Sequence, residues 1–253
     1  MTAAPCPDVL AEARRLTDAA AARETPVRLL GGAAIMLRAG DRLQPALRRT
    51  PVDIDLVAGA GAGGAVGALL DACGYRPDVA FNRVEGARRL LFHDDANDRQ
   101  IDVFVRDFAM CHTIPIGERL LIERMTLPLA ELLLTKLQIV QLNAKDRHDV
   151  YALLQTHPVG AHDGAMVNAE RIARVCARDW GLYTTAMLNL ERVREQLPAV
   201  PLDAEASARI GAGIAALVGA LEAEPKSRAW RMRARIGERV RWYDEPDEVG
   251  PEP

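Results

Sequence analysis

Aromatic residues are scarce in this sequence, at 4%, while Ala, Leu and Val carry most of a 49% apolar content. That bias argues against an aromatic-rich β-sandwich and favours packed helices. Cysteine is equally thin: Cys6, Cys73, Cys111 and Cys176 stand far apart, without a Cys-x-x-Cys or any spacing that suits paired zinc ligands. Free thiols in a reducing, cytoplasmic setting are the expectation. The five histidines likewise show no metal spacing. No apolar run approaches the ~18 residues of a membrane span. The N-terminus carries Asp8, Glu12, Arg14 and Arg15 where a secretory signal would be apolar. Neither secretion nor membrane insertion is expected, and a net charge of −3 supplies no global nucleic-acid signature.

What the chain does have is a sequence of short elements followed by long ones. Val9, Leu10, Ala13, Leu16 and Ala20 recur at helical spacing, predicting a leading helix over 7–22. Residues 26–30 read as a strand, Gly31-Gly32 as a turn, and residues 33–38 as a helix ended by Gly40. Residues 52–57 form a second strand and residues 65–73 a helix. Strands over 75–81, 87–92 and 100–105 follow, with turns at 82–86 and 94–97. Beyond Thr126 the periodicity becomes helical throughout, with predicted helices from Pro128 onward, over 146–155, 164–178, 182–197, 203–223 and 226–243. The expectation is an α/β (α+β) domain over 1–115, a mixed sheet with flanking helices, then an all-helical domain over 116–253 ending in an acidic tail that frays.

Chemistry concentrates in Pro51-Val52-Asp53-Ile54-Asp55-Leu56-Val57 and Gln100-Ile101-Asp102-Val103-Phe104. Residues i and i+2 of a strand share a face, so Asp53 and Asp55 can converge on one divalent cation, and a neighbouring strand can bring Asp102 alongside. Three anions at one place are unfavourable without a cation. Mg²⁺ suits them, because it takes oxygen ligands and completes its shell with waters and substrate phosphates. Gly31-Gly32, opening a helix, suits close approach of a phosphate to backbone N–H groups. Arg48 and Arg49 precede the carboxylate strand, within reach of a phosphate or simply solvated.

Gly31-Gly32, Asp53-Ile54-Asp55 and Asp102 together resemble the nucleotidyltransferase superfamily that includes DNA polymerase beta and the aminoglycoside nucleotidyltransferases. Glu131-Leu132-Leu133-Leu134-Thr135-Lys136 and Lys145-Asp146-Arg147-His148-Asp149-Val150 resemble, more narrowly, AbiEii-type nucleotidyltransferase toxins. The resemblance covers residues 25–155. It implies a nucleotidyltransferase fold and Mg²⁺-dependent transfer of a nucleoside monophosphate from NTP to an acceptor hydroxyl on tRNA, protein or a small molecule. Asp53, Asp55 and Asp102 would be metal ligands in a two-metal arrangement, with Asp102 orienting or deprotonating the acceptor. Lys136, oriented by Asp146 or Asp149, would contact the triphosphate, as would Gly31, Gly32 and Arg49. The toxin-like motifs imply a cognate antitoxin as partner. Ala33 stands where many members carry Ser or Thr, a lost hydroxyl contact of about 1 kcal/mol. That departure motivates the alternative of a catalytically weak or inactive nucleotide-binding, regulatory module.

Residues 226–243 hold seven basic residues and one acidic one, with Trp230 and Trp242 interleaved. Arg228, Arg231, Arg235 and Arg239 share one side; Ala229, Met232, Ile236 and Val240 form an apolar side expected to dock. The basic side either binds RNA phosphates or pairs with acidic residues of the chain.

Overall fold

Period-two alternation in two central strands decides what the sheet buries and what it offers to the site. The computed structural model describes residues 4–245. Its main sheet contains β1 (Val27–Leu30), β2 (Ile54–Ala58), β3 (Arg76–Pro77), β4 (Arg89–Asp94) and β5 (Arg99–Val105), in the order β1-β2-β5-β4-β3. Only the central β2–β5 pair is parallel; the other pairings are antiparallel. Ile54, Leu56, Ile101 and Val103 point to one face and are wholly buried. The opposite face buries Val57, Leu91 and Phe104, and turns acidic where Asp55 lies beside Asp102.

The helices of the N-terminal part are α1 (Val9–Ala22), α2 (Gly31–Ala39), α3 (Gly63–Ala72) and α4 (Val79–Glu85). α1 starts where Asp8 accepts from the Ala11 N–H, and it buries Val9, Ala13, Leu16 and Ala20, the periodic positions read from the sequence. Then come α5 (Leu129–Leu137), α6 (Ala144–Thr156), α7 (Ala169–Cys176), α8 (Trp180–Gln196), α9 (Ala204–Ala223) and α10 (Arg228–Ile236). The two parts are knit together. The core is continuous from Val9 to Leu221, α2 packs on α5 and α6, and Leu29 exchanges backbone hydrogen bonds with Met125 and Leu127 along the edge of β1. Mixed α/β architecture followed by a helical region is therefore the observed fold class.

Several elements differ from expectation for local reasons. The strand expected over 75–81 is only Arg76–Pro77, because Asp78 accepts from the Phe81 N–H and caps α4. The helix expected from 164 begins at Ala169, capped by Asn168, after a short parallel pairing of Val159–Gly160 with Val167–Asn168. The terminal helix ends at Ile236, where Gly237 adopts φ +61°, a left-handed stop that glycine accepts without strain. Its docking side is also different. Met232, Ile236 and Val240 are 68%, 47% and 57% exposed, so the aliphatic stripe is not what docks α10. Instead Trp230 meets Tyr183 edge-on at 5.3 Å, and the Arg233 guanidinium lies 4.5 Å over Trp180. Arg228, Arg231, Arg235 and Arg239 are exposed and form no ion pair among the described residues. Beyond Glu245, the acidic tail expected over 244–253 lies outside the described residues.

Among the described residues, α9 is the one helix long and apolar enough to cross a membrane by length and composition. Arg209 hides it from a scan for unbroken apolar runs. Ala206, Ile210, Gly213, Ile214, Leu217 and Leu221 bury one stripe of it, and it packs against α6, α7 and α8. The four cysteines are free thiols, three of them buried.

Candidate active site

Asp55 and Asp102 are register partners on β2 and β5. Adjacent strands run about 4.8 Å apart, so these carboxylates sit side by side on one face. Asp53 is not a strand residue: it lies in the bend before Ile54, exposed at the entrance of β2. Burial, then the charges of Asp102 and Asp53, push the Asp55 carboxyl up to about 7, with Lys136 opposing. Burial and the Asp102 charge also raise Asp53, against a backbone hydrogen bond from Gln100. Neither Asp53 nor Asp55 forms an ion pair among the described residues.

The glycine pair has a structural reason that the sequence alone does not reveal. Gly31 opens α2 with φ +67°, and a Cβ there would overlap the Asp55 carboxylate. A Cβ on Gly32 would overlap the Arg49 guanidinium. The space above both glycines, expected to cradle phosphate, is thus taken by the protein's own side chains. Glycine here lets a carboxylate and a guanidinium lie against backbone. Ala33 is wholly buried, so its methyl faces the core.

Lys136 and its partners close the opposite wall. α5 follows Pro128, and its buried Leu132, Leu133 and Leu137 hold it in the core while Lys136 reaches out from its last turn. The Lys136 Nζ lies 2.9 Å from Asp146 Oδ1 and 2.9 Å from Asp149 Oδ2. Asn143 caps α6 by accepting from the Asp146 N–H, which places Asp146 in the first turn and Asp149 one turn on. Arg49 grips Asp149 with both arms of its fork, Nε to Oδ1 at 2.8 Å and Nη2 to Oδ2 at 2.6 Å. Burial works against the Lys136 charge, yet Asp149 and Asp146 outweigh it and raise its pKa. Burial alone would raise Asp149; Arg49 and Lys136 prevail and lower it. Arg48 is turned elsewhere, donating to the Leu43 and Asp41 carbonyls.

A cavity of ≈ 190 Å³ is lined by Gly32, Arg49, Asp53, Asp55, Lys136 and Asp146, with Lys145 at its wall. The structure therefore gathers these expected site residues around one space. Gly31 and Asp102 stand behind Asp55 without lining it. Asp102 is 7% exposed, and both of its oxygens are engaged: Arg89 Nε donates to Oδ1 at 2.7 Å and Gln100 Nε2 to Oδ2 at 2.8 Å. Gln100, two residues before Asp102 on the same face, is legible as a neighbour from strand periodicity. Arg89 carries no such local signal.

The donor chemistry fits a hard cation in part. Asp53 and Asp55 offer carboxylate oxygens that form no ion pair among the described residues, which suits Mg²⁺ completing its shell with water and phosphate. Asp102 is committed to Arg89 and Gln100. Among the described residues no group of three or more His, Cys, Asp or Glu side chains has the spacing to hold a metal ion.

At the other end of α5 lies a second buried charge cluster. Glu131, wholly buried, accepts from Arg119 Nε at 2.7 Å and from Arg171 Nε at 2.8 Å, and Arg119 also pairs with Asp163 at 2.6 Å. In sequence Glu131 appears only within the motif that leads to Lys136. Comparison with protein-family models finds no match to this chain, and comparison with curated proteins finds no significant similarity.

Proposed function

We propose that the chain is a Mg²⁺-dependent nucleotidyltransferase that moves a nucleoside monophosphate from NTP to an acceptor hydroxyl. The observation that carries this reading is the pair Asp53 and Asp55, without ion-pair partners among the described residues, beside a cavity whose other wall is Lys136, Lys145 and Arg49. Acids and bases facing each other across one space suit a cation on one side and phosphate oxygens on the other. Asp53 and Asp55 would hold Mg²⁺, which when bound supplies charge neutralisation at the transferring phosphate. Lys136 and Lys145 would orient the triphosphate. Asp146 and Asp149 fix the Lys136 ammonium in place, and Arg49 keeps Asp149 ionised. Asp102, next to Asp55, would orient or take the proton of the acceptor hydroxyl. Positioning and electrostatics carry the rate, with no covalent enzyme intermediate.

The acceptor class, tRNA, protein or small molecule, and a toxin role with a cognate antitoxin belong to the same proposal. So does a cytoplasmic location, supported by four free cysteines. A second reading, a nucleotide-binding regulatory module with little catalysis, is favoured by one observation: Arg89 and Gln100 occupy both Asp102 oxygens. Incubating a cell extract with α-labelled NTPs and wild type or Asp53→Ala/Asp55→Ala separates the two. Label incorporated by wild type alone supports transfer; equal background with both supports the regulatory module.

A further inference from the structure

We propose that this site takes a single divalent cation, on Asp53 and Asp55, and that Arg89 is a positioning residue standing in for a second cation by holding Asp102. The inference rests on the nucleotidyltransferase reading and departs from the two-metal arrangement that the three carboxylates suggest. Its basis is the geometry around Asp102. The Arg89 Nε is 2.7 Å from one oxygen and the Gln100 amide 2.8 Å from the other. A dication bound to the same carboxylate would lie within a few ångströms of a fixed guanidinium, and two like charges at that range repel strongly when partly buried.

Arg89 is not placed to yield easily. Its guanidinium lies 5.7 Å from the Phe81 ring centroid and 5.4 Å from that of Phe104. Both partners of the ion pair are largely buried, with side chains 16% and 9% exposed. Register explains the arrangement: Arg89 is opposite Phe104 on β5, and Phe104 follows Asp102 by two residues, so all three share a face. Withdrawing Asp102 toward a metal would leave a guanidinium between two aromatic rings without its anion, which is costly. The alternative route is a swing of Arg89 into the neighbouring ≈ 250 Å³ cavity, where Glu85, Asp244 and Glu245 could receive it. The two routes predict different numbers of bound cations.

Counting bound Mn²⁺ by electron paramagnetic resonance on the 253-residue chain at pH 8, with Mn²⁺ alone as the probe, tests the inference. Wild type is expected to bind one Mn²⁺ per chain and Arg89→Lys also one, with affinity changed less than threefold. Arg89→Gln frees an Asp102 oxygen and is expected to bind two, the second disappearing in Arg89→Gln/Asp102→Asn. Near-ultraviolet circular dichroism verifies that each variant is folded. Two Mn²⁺ in wild type, or one in a folded Arg89→Gln, overturns the inference and leaves the proposed function standing. No Mn²⁺ in wild type, matched by Asp53→Asn/Asp55→Asn, overturns both.

Discussion

The two ends of α5 carry two buried charge clusters built on opposite principles. At its start, Glu131 is answered by Arg119 and Arg171, and the remaining arm of Arg119 by Asp163, so every acid has a base. At its end, Lys136 and Arg49 satisfy Asp146 and Asp149, while Asp53 and Asp55 across the cavity form no ion pair among the described residues. The first cluster is complete as folded. The second leaves two carboxylates facing a cavity, and burial together with the charges of Asp102 and Asp53 pushes the Asp55 carboxyl up to about 7. The closed network accounts for itself as structure, and the open one is the cluster on which the proposed function rests.

The comparison is broken most severely at Glu131. Glu131→Ala leaves the half-buried Arg171 without its anion and Arg119 with Asp163 alone, and a loss of about 3 kcal/mol is expected by urea unfolding. A loss below about 1 kcal/mol would remove the structural pole of the contrast.

Asp55→Asn should act in the opposite direction. Moving a carboxyl from 3.8 to about 7 corresponds to about 4 kcal/mol as an upper bound, so the variant is expected to be more stable than wild type in metal-free buffer at pH 8. The sign follows from linkage. Folded Asp55 holds its proton between pH 3.8 and about 7 while the unfolded chain has released it, so its contribution is fully present below 3.8 and is lost as pH rises through 7. Added Mg²⁺ should therefore raise the melting temperature more at pH 8 than at pH 5.5, and should not raise it for Asp55→Asn. A pH-independent response would contradict the assignment of Asp55 as the open partner.

Gly31→Ala sharpens the contrast from the backbone side. A methyl at φ +67° against the Asp55 carboxylate is expected to cost ~1–3 kcal/mol and to abolish the Mg²⁺ response together with it. Retention of that response would show that Asp55 is not held by this close approach. Smallest of all, Met232→Ser on exposed α10 should change stability by no more than ~0.5 kcal/mol in thermal melts. A larger loss would mean that the aliphatic stripe is buried in solution.

Much of this was legible in the sequence where the signal is local. Alternation placed β2 and β5 and with them Asp55 and Asp102, whereas Asp53, expected on the same strand, lies in the bend before it. Helical period placed α1, α5, α6, α8 and α9. Boundaries failed where a capping side chain overrode the pattern, as Asp78 did for α4 and Asn168 for α7. Aromatic docking of α10 was illegible because its partners, Trp180 and Tyr183, lie far away in sequence. The same holds for Arg89 and for the Arg119–Glu131–Arg171 cluster, since ion pairs between distant residues leave no periodic trace. Gly31-Gly32 was visible as a constraint. What fills the space above it was not, because that depends on the strand and loop that return there.

The most direct test of the open cluster as a transfer site uses purified protein, Mg²⁺ and NTP labelled at either the α- or the γ-phosphate, with cell extract as acceptor. Incorporation of the α-label without the γ-label, absent in Asp53→Ala/Asp55→Ala and retained in Met232→Ser, is the predicted result. Incorporation of the γ-label, or equal α-label incorporation by the double variant, would contradict the account.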